Sequence, residues 1–250
     1  MMKRLMTVLA FVSLTMTTLA QETVPVQKYS VATNSFWSNW FVQVGGDYNA
    51  WYSNQEHGLG LDNGDHYGLF AKQRRTFGAS VAVGKWFSPG FGLRTKLQLG
   101  KAKKVGMVGV SKLDYWTLNE HLLFNMSNLL CGYNPDRVWN VTPFIGGGVT
   151  RNESISLYAM QLSVGINSSW KLSRLLDLYA EVGWNRMEED FDGYEGYNQR
   201  AKHHGYGWED KDNNLYAEIG LTFKLGKSGW NKTPDVDALK SMSQSQIDDL

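Results

Sequence analysis

The chain has 250 residues, of which 42% are apolar and 20% charged, with 25 basic residues against 24 acidic ones. This balance gives no basic footprint for nucleic acid, and the mean hydropathy of −0.36 excludes a bundle of membrane helices. A single Cys allows neither an internal disulfide nor a multi-cysteine metal site, while 26 Gly with 10 Trp, 12 Tyr and 11 Phe favour β-structure with aromatic belts.

The first twenty residues have the pattern of a secretory signal. A basic start at Met1–Arg4 precedes the apolar run Leu5–Leu14, and small residues lead to a cleavage site after Ala20. A short membrane anchor is the alternative, but the apolar run is too brief to span a bilayer. We therefore expect residues 1–20 to be a signal peptide and residues 21–36 to be a periplasmic N-terminal segment.

From Trp37 onward, apolar and polar residues alternate with a period of two, which indicates strands. The segment Met160–Asn167 shows this most clearly. Two segments are less regular, because one contains Pro143 and another puts Glu120 on the apolar face unless a β-bulge intervenes. The alternating segments hold 8–11 residues, close to the about 9–11 that a tilted strand needs to cross a bilayer. The eight alternating segments are 40–49, 77–84, 93–100, 116–126, 141–149, 160–167, 176–185 and 215–224.

The connections between these segments fall into two classes. One end has the short turns Ser88–Gly90 and Lys171–Arg174, together with a longer one at Ser127–Arg137. Mostly longer polar segments occupy the other end. This layout predicts an all-β protein, an eight-stranded antiparallel transmembrane β-barrel over residues 37–225, with long extracellular loops and short periplasmic turns. The predicted loops are 53–73, 101–112, 151–156 and 188–213.

Alternation by itself does not say which face of the sheet is outside, and a soluble lipocalin-like barrel is the alternative. The polar face here is rich in Gly, Ser, Asn and Gln, which suit a narrow barrel interior better than a water-exposed surface. Aromatic residues on the apolar face form two groups, as the girdles of a membrane barrel do. The group near the short turns is Trp40, Phe87, Trp170 and Phe223, and the group near the long loops is Tyr48, Trp116, Tyr158 and Trp184.

A few charged residues lie on the polar face. Lone charges in a narrow interior are costly unless they are paired or hydrated. We expect a hydrogen-bonded network that plugs the barrel; the alternative is that each charge sits in water, as a wider pore would allow. The predicted network consists of Arg94, Lys96, Glu181, Glu218, Gln43, Gln161 and His121.

Five stretches carry a resemblance to a known family. They read NSFWSNWF at 34–41, YWTLNEH at 115–121, FNMSNLLCGYNP at 124–135, DNNLYAE at 212–218 and LGKSGWNKTPDVD at 225–237. Together they resemble the N-terminal barrel of Bacteroidetes-type OmpA-family major outer-membrane proteins. The resemblance implies a barrel followed by a periplasmic peptidoglycan-binding domain.

The sequence ends at Leu250, where that family would continue, so peptidoglycan binding falls on none of its residues. We expect residues 226–250 to be a periplasmic linker, either disordered or beginning a helix near Ser241. Expected partners are outer-membrane lipid and lipopolysaccharide, with peptidoglycan reached only through a further domain.

Other chemistry is weakly indicated. His203 and His204 lie beside Glu209 and Asp210, but no ligand spacing recurs, and Glu189–Gly193 lacks the full pattern of a calcium loop. No nucleophile, base and acid converge on one strand end, so we expect no enzyme, no cofactor and no metal site. The expected role is structural anchoring in the cell envelope; a narrow porin for small solutes is the alternative, and binding by the long loops is a third possibility.

Overall fold

The computed structural model describes residues 29–31, 35–52, 71–106, 109–188, 191, 212–234 and 244. Strands β1 (Tyr29–Val31) and β10 (Lys232–Pro234) form a separate antiparallel pair. Eight long antiparallel strands close into a barrel in sequence order, which confirms the predicted fold. They are β2 (Trp40–Tyr52), β3 (Arg75–Trp86), β4 (Phe91–Gly106), β5 (Gly109–Phe124), β6 (Trp139–Asn152), β7 (Leu157–Lys171), β8 (Leu176–Met187) and β9 (Asp212–Leu225).

The barrel has its apolar face outside and its polar face inside. On β3, Phe77 is 77% exposed whereas Ser80 is buried, and on β7 Met160 is 68% exposed whereas Ser163 is buried. A soluble calyx would show the reverse arrangement. The outer wall therefore suits lipid, as the polar composition of the other face predicted.

Two ends of the barrel can be distinguished. At the end that we call the loop end, β2 ends and β3 begins; at the opposite end, the turn end, β3 ends and β4 begins. The predicted signal peptide, most of the predicted loops 53–73 and 188–213, and most of the predicted linker 226–250 lie outside the described residues.

Of two predicted loops at the loop end, 101–112 is wrong and 151–156 is shorter than predicted. Strands β4 and β5 remain paired from Lys101↔Asp114 to Gly106↔Gly109, so the segment 101–112 is mostly a hairpin. Strands β6 and β7 likewise continue to Asn152 and from Leu157, which leaves a turn at 153–156. In 101–106 the lysines Lys101, Lys103 and Lys104 interrupt the apolar pattern, so hydrophobic alternation does not detect the strand there.

The longest described connection lies at the turn end and contains a short helix that alternation did not indicate. Helix α1 (Met126–Cys131) begins after Asn125, whose side chain accepts a hydrogen bond of 3.0 Å from the Asn128 backbone N–H. Arg137 then donates to Asn128 Oδ1 at 2.7 Å and to the Gly132 carbonyl at 2.9 Å. Within the described ranges, no helix is long and apolar enough to cross a membrane.

Glu120 lies on the outer face without a bulge. It pairs in register with Thr95 on β4 and Gly147 on β6, and the Thr95 hydroxyl donates a 2.6 Å hydrogen bond to its carboxylate. Its position on β5 is midway between Trp116 and Phe124. This carboxylate therefore faces the centre of the apolar band.

We expect Glu120→Leu to raise the free energy of unfolding in lipid vesicles by up to about 2 kcal/mol, because a carboxylate near the bilayer centre is costly. Urea unfolding followed by tryptophan fluorescence measures the change. Asp114→Leu is the control, since Asp114 is on the same strand but 61% exposed at the loop end. Unchanged or lower stability in Glu120→Leu would mean that the carboxylate is solvated or bound.

Candidate functional site

Four charged side chains occupy the middle of the barrel lumen, and we call them the lumen charge cluster. Arg94 and Lys96 are inward-facing neighbours on β4, Glu181 lies on β8 and Glu218 on β9. Each is at most 4% exposed. Their alternate positions on strands direct them inward, and the closed barrel brings β4 and β8 across the lumen from each other.

Glu181 is the most highly bonded member of this cluster. Arg94 approaches it in a bidentate manner, with Nη1 2.7 Å from Oε2 and Nη2 3.2 Å from Oε1. Lys96 Nζ lies 2.7 Å from Oε1. Tyr216 OH and Asn167 Nδ2 each donate at 2.9 Å. These five donors compensate the carboxylate for the loss of water.

Lys96 joins the two carboxylates. Its Nζ lies 2.7 Å from Glu181 and 2.7 Å from Glu218, and 4.8 Å from the centre of the Tyr216 ring. The Tyr179 hydroxyl donates to Glu218 at 2.5 Å. Gly45 makes this possible, because a Cβ there would collide with the Tyr179 hydroxyl and lie 2.8 Å from Glu218.

His121 is held in one neutral form. Its Nδ1 lies 2.9 Å from Arg94 Nη2, and an arginine can only donate, so Nδ1 accepts. Its Nε2 therefore carries the proton and donates to Ser163 Oγ at 2.9 Å. The imidazole ring also contacts Phe144, with 4.6 Å between ring centres.

The structure brings six of the seven predicted lumen residues together. Gln43 accepts from Arg94 at 3.0 Å and donates to Thr222 at 3.0 Å. Gln161 is the exception, since its amide donates to Asn119 at 2.6 Å. It lies on β7 two residues nearer the loop end than Ser163, so its side chain reaches Asn119 and not the charged residues.

Two tyrosines complete the cluster but were not singled out from the sequence. Tyr179 and Tyr216 are fully buried donors to the two carboxylates. The sequence signal that could have indicated them is a tyrosine at an inward position of a strand whose register partner on the next strand is a glycine, as in Tyr216↔Gly183 and Tyr179↔Gly220. A Cβ at Gly183 would collide with the Tyr216 ring, just as one at Gly45 would with Tyr179.

Apolar clusters lie on both sides of the charges. The turn-end cluster contains Phe41, Leu123, Phe144 and Tyr216, with Trp86 packed against it. In the loop-end cluster, Trp51 stacks on Phe191 at 5.4 Å and contacts Tyr115 edge-on at 4.7 Å. The loop-end cluster contains Trp51, Ala102, Leu113, Tyr115, Ala159, Met187 and Phe191.

The predicted interface aromatics lie on the outer wall in two groups. Near the turn end, Phe87 is 57% exposed, and near the loop end Tyr158 is 55% exposed and 6.1 Å from the Trp116 ring. Contact of these rings with the lipid interfaces stays a prediction. The turn-end group is Trp40, Phe87, Trp170 and Phe223, and the loop-end group is Tyr48, Trp116, Tyr158 and Trp184.

In the described part of the chain, no three His, Cys, Asp or Glu side chains are grouped closely enough to hold a metal ion between them. His203, His204, Glu209 and Asp210, considered above as weak ligands, lie outside the described residues. Cys131 is exposed as a free thiol.

Comparison with known proteins gives two relatives from Porphyromonas gingivalis. The chain is 23% identical over 241 residues to outer membrane protein 41, covering 90% of this chain and 56% of that protein. It is 25% identical over 273 residues to outer membrane protein 40, covering 99% of this chain and 64% of that one. The chain thus spans about three fifths of the length of these relatives.

No family model matches the chain. Among solved structures, neisserial surface protein A aligns with a TM-score of 0.46 and 8% identity, over 75% of this chain and 98% of that one. The closed barrel, its apolar outer wall and the two named relatives identify an outer-membrane β-barrel protein.

Proposed function

We propose that this barrel is a structural anchor in the outer membrane rather than an open pore. The observation that supports this is the lumen charge cluster, in which every charge is directly paired. The apolar clusters on both sides of it add two further obstacles to water and ions. An eight-stranded barrel is also just wide enough for side chains to fill its interior.

We further propose that the anchor is of the OmpA type. The stretches quoted above resemble OmpA-family barrels, and that resemblance implies a periplasmic domain that binds peptidoglycan. In this proposal, residues 21–36 and 226–250 are periplasmic segments that precede and follow the barrel in the sequence. The proposed role is mechanical and requires no catalytic group.

A narrow porin is the second candidate, and one observation favours it. Among the buried amide side chains of the lumen, Asn119 Nδ2, Asn185 Oδ1 and Asn214 Oδ1 have no hydrogen-bond partner among the described residues. Buried polar atoms of this kind are usually satisfied by water. Water in part of the lumen would shorten the barrier that a small solute has to cross.

Conductance of the purified protein in planar lipid bilayers distinguishes the two candidates. We expect the parent to be non-conducting. Glu218→Ala removes one of the two carboxylates that hold Lys96, so it should raise ion conductance and lower the thermal unfolding temperature. Liposome swelling with small sugars tests the same difference for neutral solutes.

Asp136→Ala is the matched control, because Asp136 is an exposed carboxylate outside the lumen, in the connection between α1 and β6. It should leave both conductance and unfolding temperature at the parent values. Steady conductance in the parent that Glu218→Ala does not change would contradict the anchor and favour the porin.

A further inference from the structure

The charges inside the lumen do not balance. Between the two apolar clusters, the described inward-facing charged residues are the cations Arg94 and Lys96 and the anions Glu181, Glu218 and Asp47. His121 is neutral, as its hydrogen bonds show. One negative charge is therefore left over, and an uncompensated buried carboxylate is costly.

Asp47 is the carboxylate without a cation. It is 2% exposed and pairs in register with Glu218 on β9, so its neighbour is another anion. The Asn49 amide donates to its Oδ1. Its Oδ2 accepts no hydrogen bond from the described residues, although the Gln98 amide, whose Nε2 is also unpartnered, lies close enough to act on this carboxylate. By contrast, Glu218 is held by Lys96 and Tyr179.

Two glycines, Gly78 and Gly100, lie beside this carboxylate, and we call their place on the inner wall the notch. Asp47, Gly78, Gly100 and Tyr115 form one continuous row across β2, β3, β4 and β5. A Cβ at Gly78 would collide with Asp47 Oδ1, and a Cβ at Gly100 would lie 3.4 Å from the Tyr115 ring. Asp47 and Tyr115 therefore lean over the two glycines from opposite sides.

Two further oxygens, on neighbouring inward positions, are also buried and unpartnered within the described part of the chain. They are Tyr115 OH and Thr76 Oγ1, on residues that are 3% and 6% exposed. Thr76 pairs in register with Asn49, one inward position from Asp47 towards the loop end. The Trp51 ring lies against Tyr115 and closes this region on the loop-end side.

We propose that this notch binds one alkali-metal cation, with Asp47 Oδ2, Tyr115 OH and Thr76 Oγ1 as its protein oxygens. Carboxylate and hydroxyl oxygens are hard ligands, which suit hard cations. A single carboxylate with two neutral hydroxyls balances one positive charge, which favours a monovalent ion. The site neutralises the lumen whether the barrel is an anchor or a porin, so it does not depend on the proposed function.

Rubidium is the probe, because its anomalous scattering reports its position. Crystals of the full chain refolded in rubidium chloride should show an anomalous peak beside Asp47. Asp47→Asn should lose that peak, since it keeps the shape of the side chain but removes the charge. Tyr115→Phe should reduce the peak, and Asp114→Asn, which changes an exposed carboxylate, should keep it.

A solution measurement accompanies the crystals. The thermal unfolding temperature in detergent should be higher in rubidium chloride than in N-methylglucamine chloride at equal ionic strength, because a ligand that binds only the folded state stabilises it. Asp47→Asn should unfold at the same temperature in both salts. Correct folding of each variant is checked by its electrophoretic heat shift.

Three results would overturn the cation site. The first is that the parent crystal shows no anomalous peak and that the unfolding temperature of the parent is the same in both salts. This result would mean that Asp47 carries a proton. The second is a peak that persists in Asp47→Asn. The third is an equal salt response in parent and Asp47→Asn. None of these results depends on conductance. The cation site and the proposed anchor can therefore fail independently, and different measurements detect each failure.

Discussion

Glu181→Ala is expected to lower the free energy of unfolding by about 3–5 kcal/mol, the cost typical of breaking a buried ion pair from one side. The substitution removes both carboxylate bonds of Arg94 and one of the two that hold Lys96. It also leaves the hydroxyl of Tyr216 and the amide of Asn167 without their acceptor. Urea unfolding in lipid vesicles measures the loss.

Asp114→Ala is the control for this substitution. It breaks the exposed Lys101–Asp114 pair, whose side chains are 62% and 61% exposed, and should cost only about 0.2–1 kcal/mol. The double variant Arg94→Met with Glu181→Leu should be more stable than Glu181→Ala, because Lys96 keeps Glu218 and no buried arginine is left unpaired. A loss in Glu181→Ala no larger than that of the control would show that water already solvates the lumen charges.

Ile219→Arg is expected to cost about 2–4 kcal/mol, because it places a cation near the middle of the bilayer. Ile219 is 62% exposed on the outer face of β9, midway between Leu215 and Phe223. Vesicle-based unfolding titrations give the size of the loss, and a spin label at the same position should report lipid rather than water.

Leu225→Arg provides the comparison on the same strand and face. Leu225 is 44% exposed and ends β9 at the turn end, where a cation should cost only about 0–1 kcal/mol. Equal losses at the two positions, or a water-like signal from the label at Ile219, would contradict the position assigned to the membrane.

Strand number and the facing of residues could be predicted from the chain, because a strand turns successive side chains to opposite faces. Alternation alone therefore assigns Arg94 and Lys96 to the lumen, and it assigns Glu120 to the outer wall unless a bulge intervenes. The same alternation did not detect the hairpin at 101–112, where the lysines suggested a loop.

Partnerships across the lumen depended on closure of the barrel. Arg94 meets Glu181 because β4 and β8 face each other after closure, and the register of each pair sets the height at which their side chains lie. A shift of two residues kept Gln161 away from the charges. The unpaired charge of Asp47 likewise becomes apparent only when the partner of every inward-facing charge is known from the structure. Alternation shows which face of a strand a residue occupies, but it gives no distances between residues on different strands.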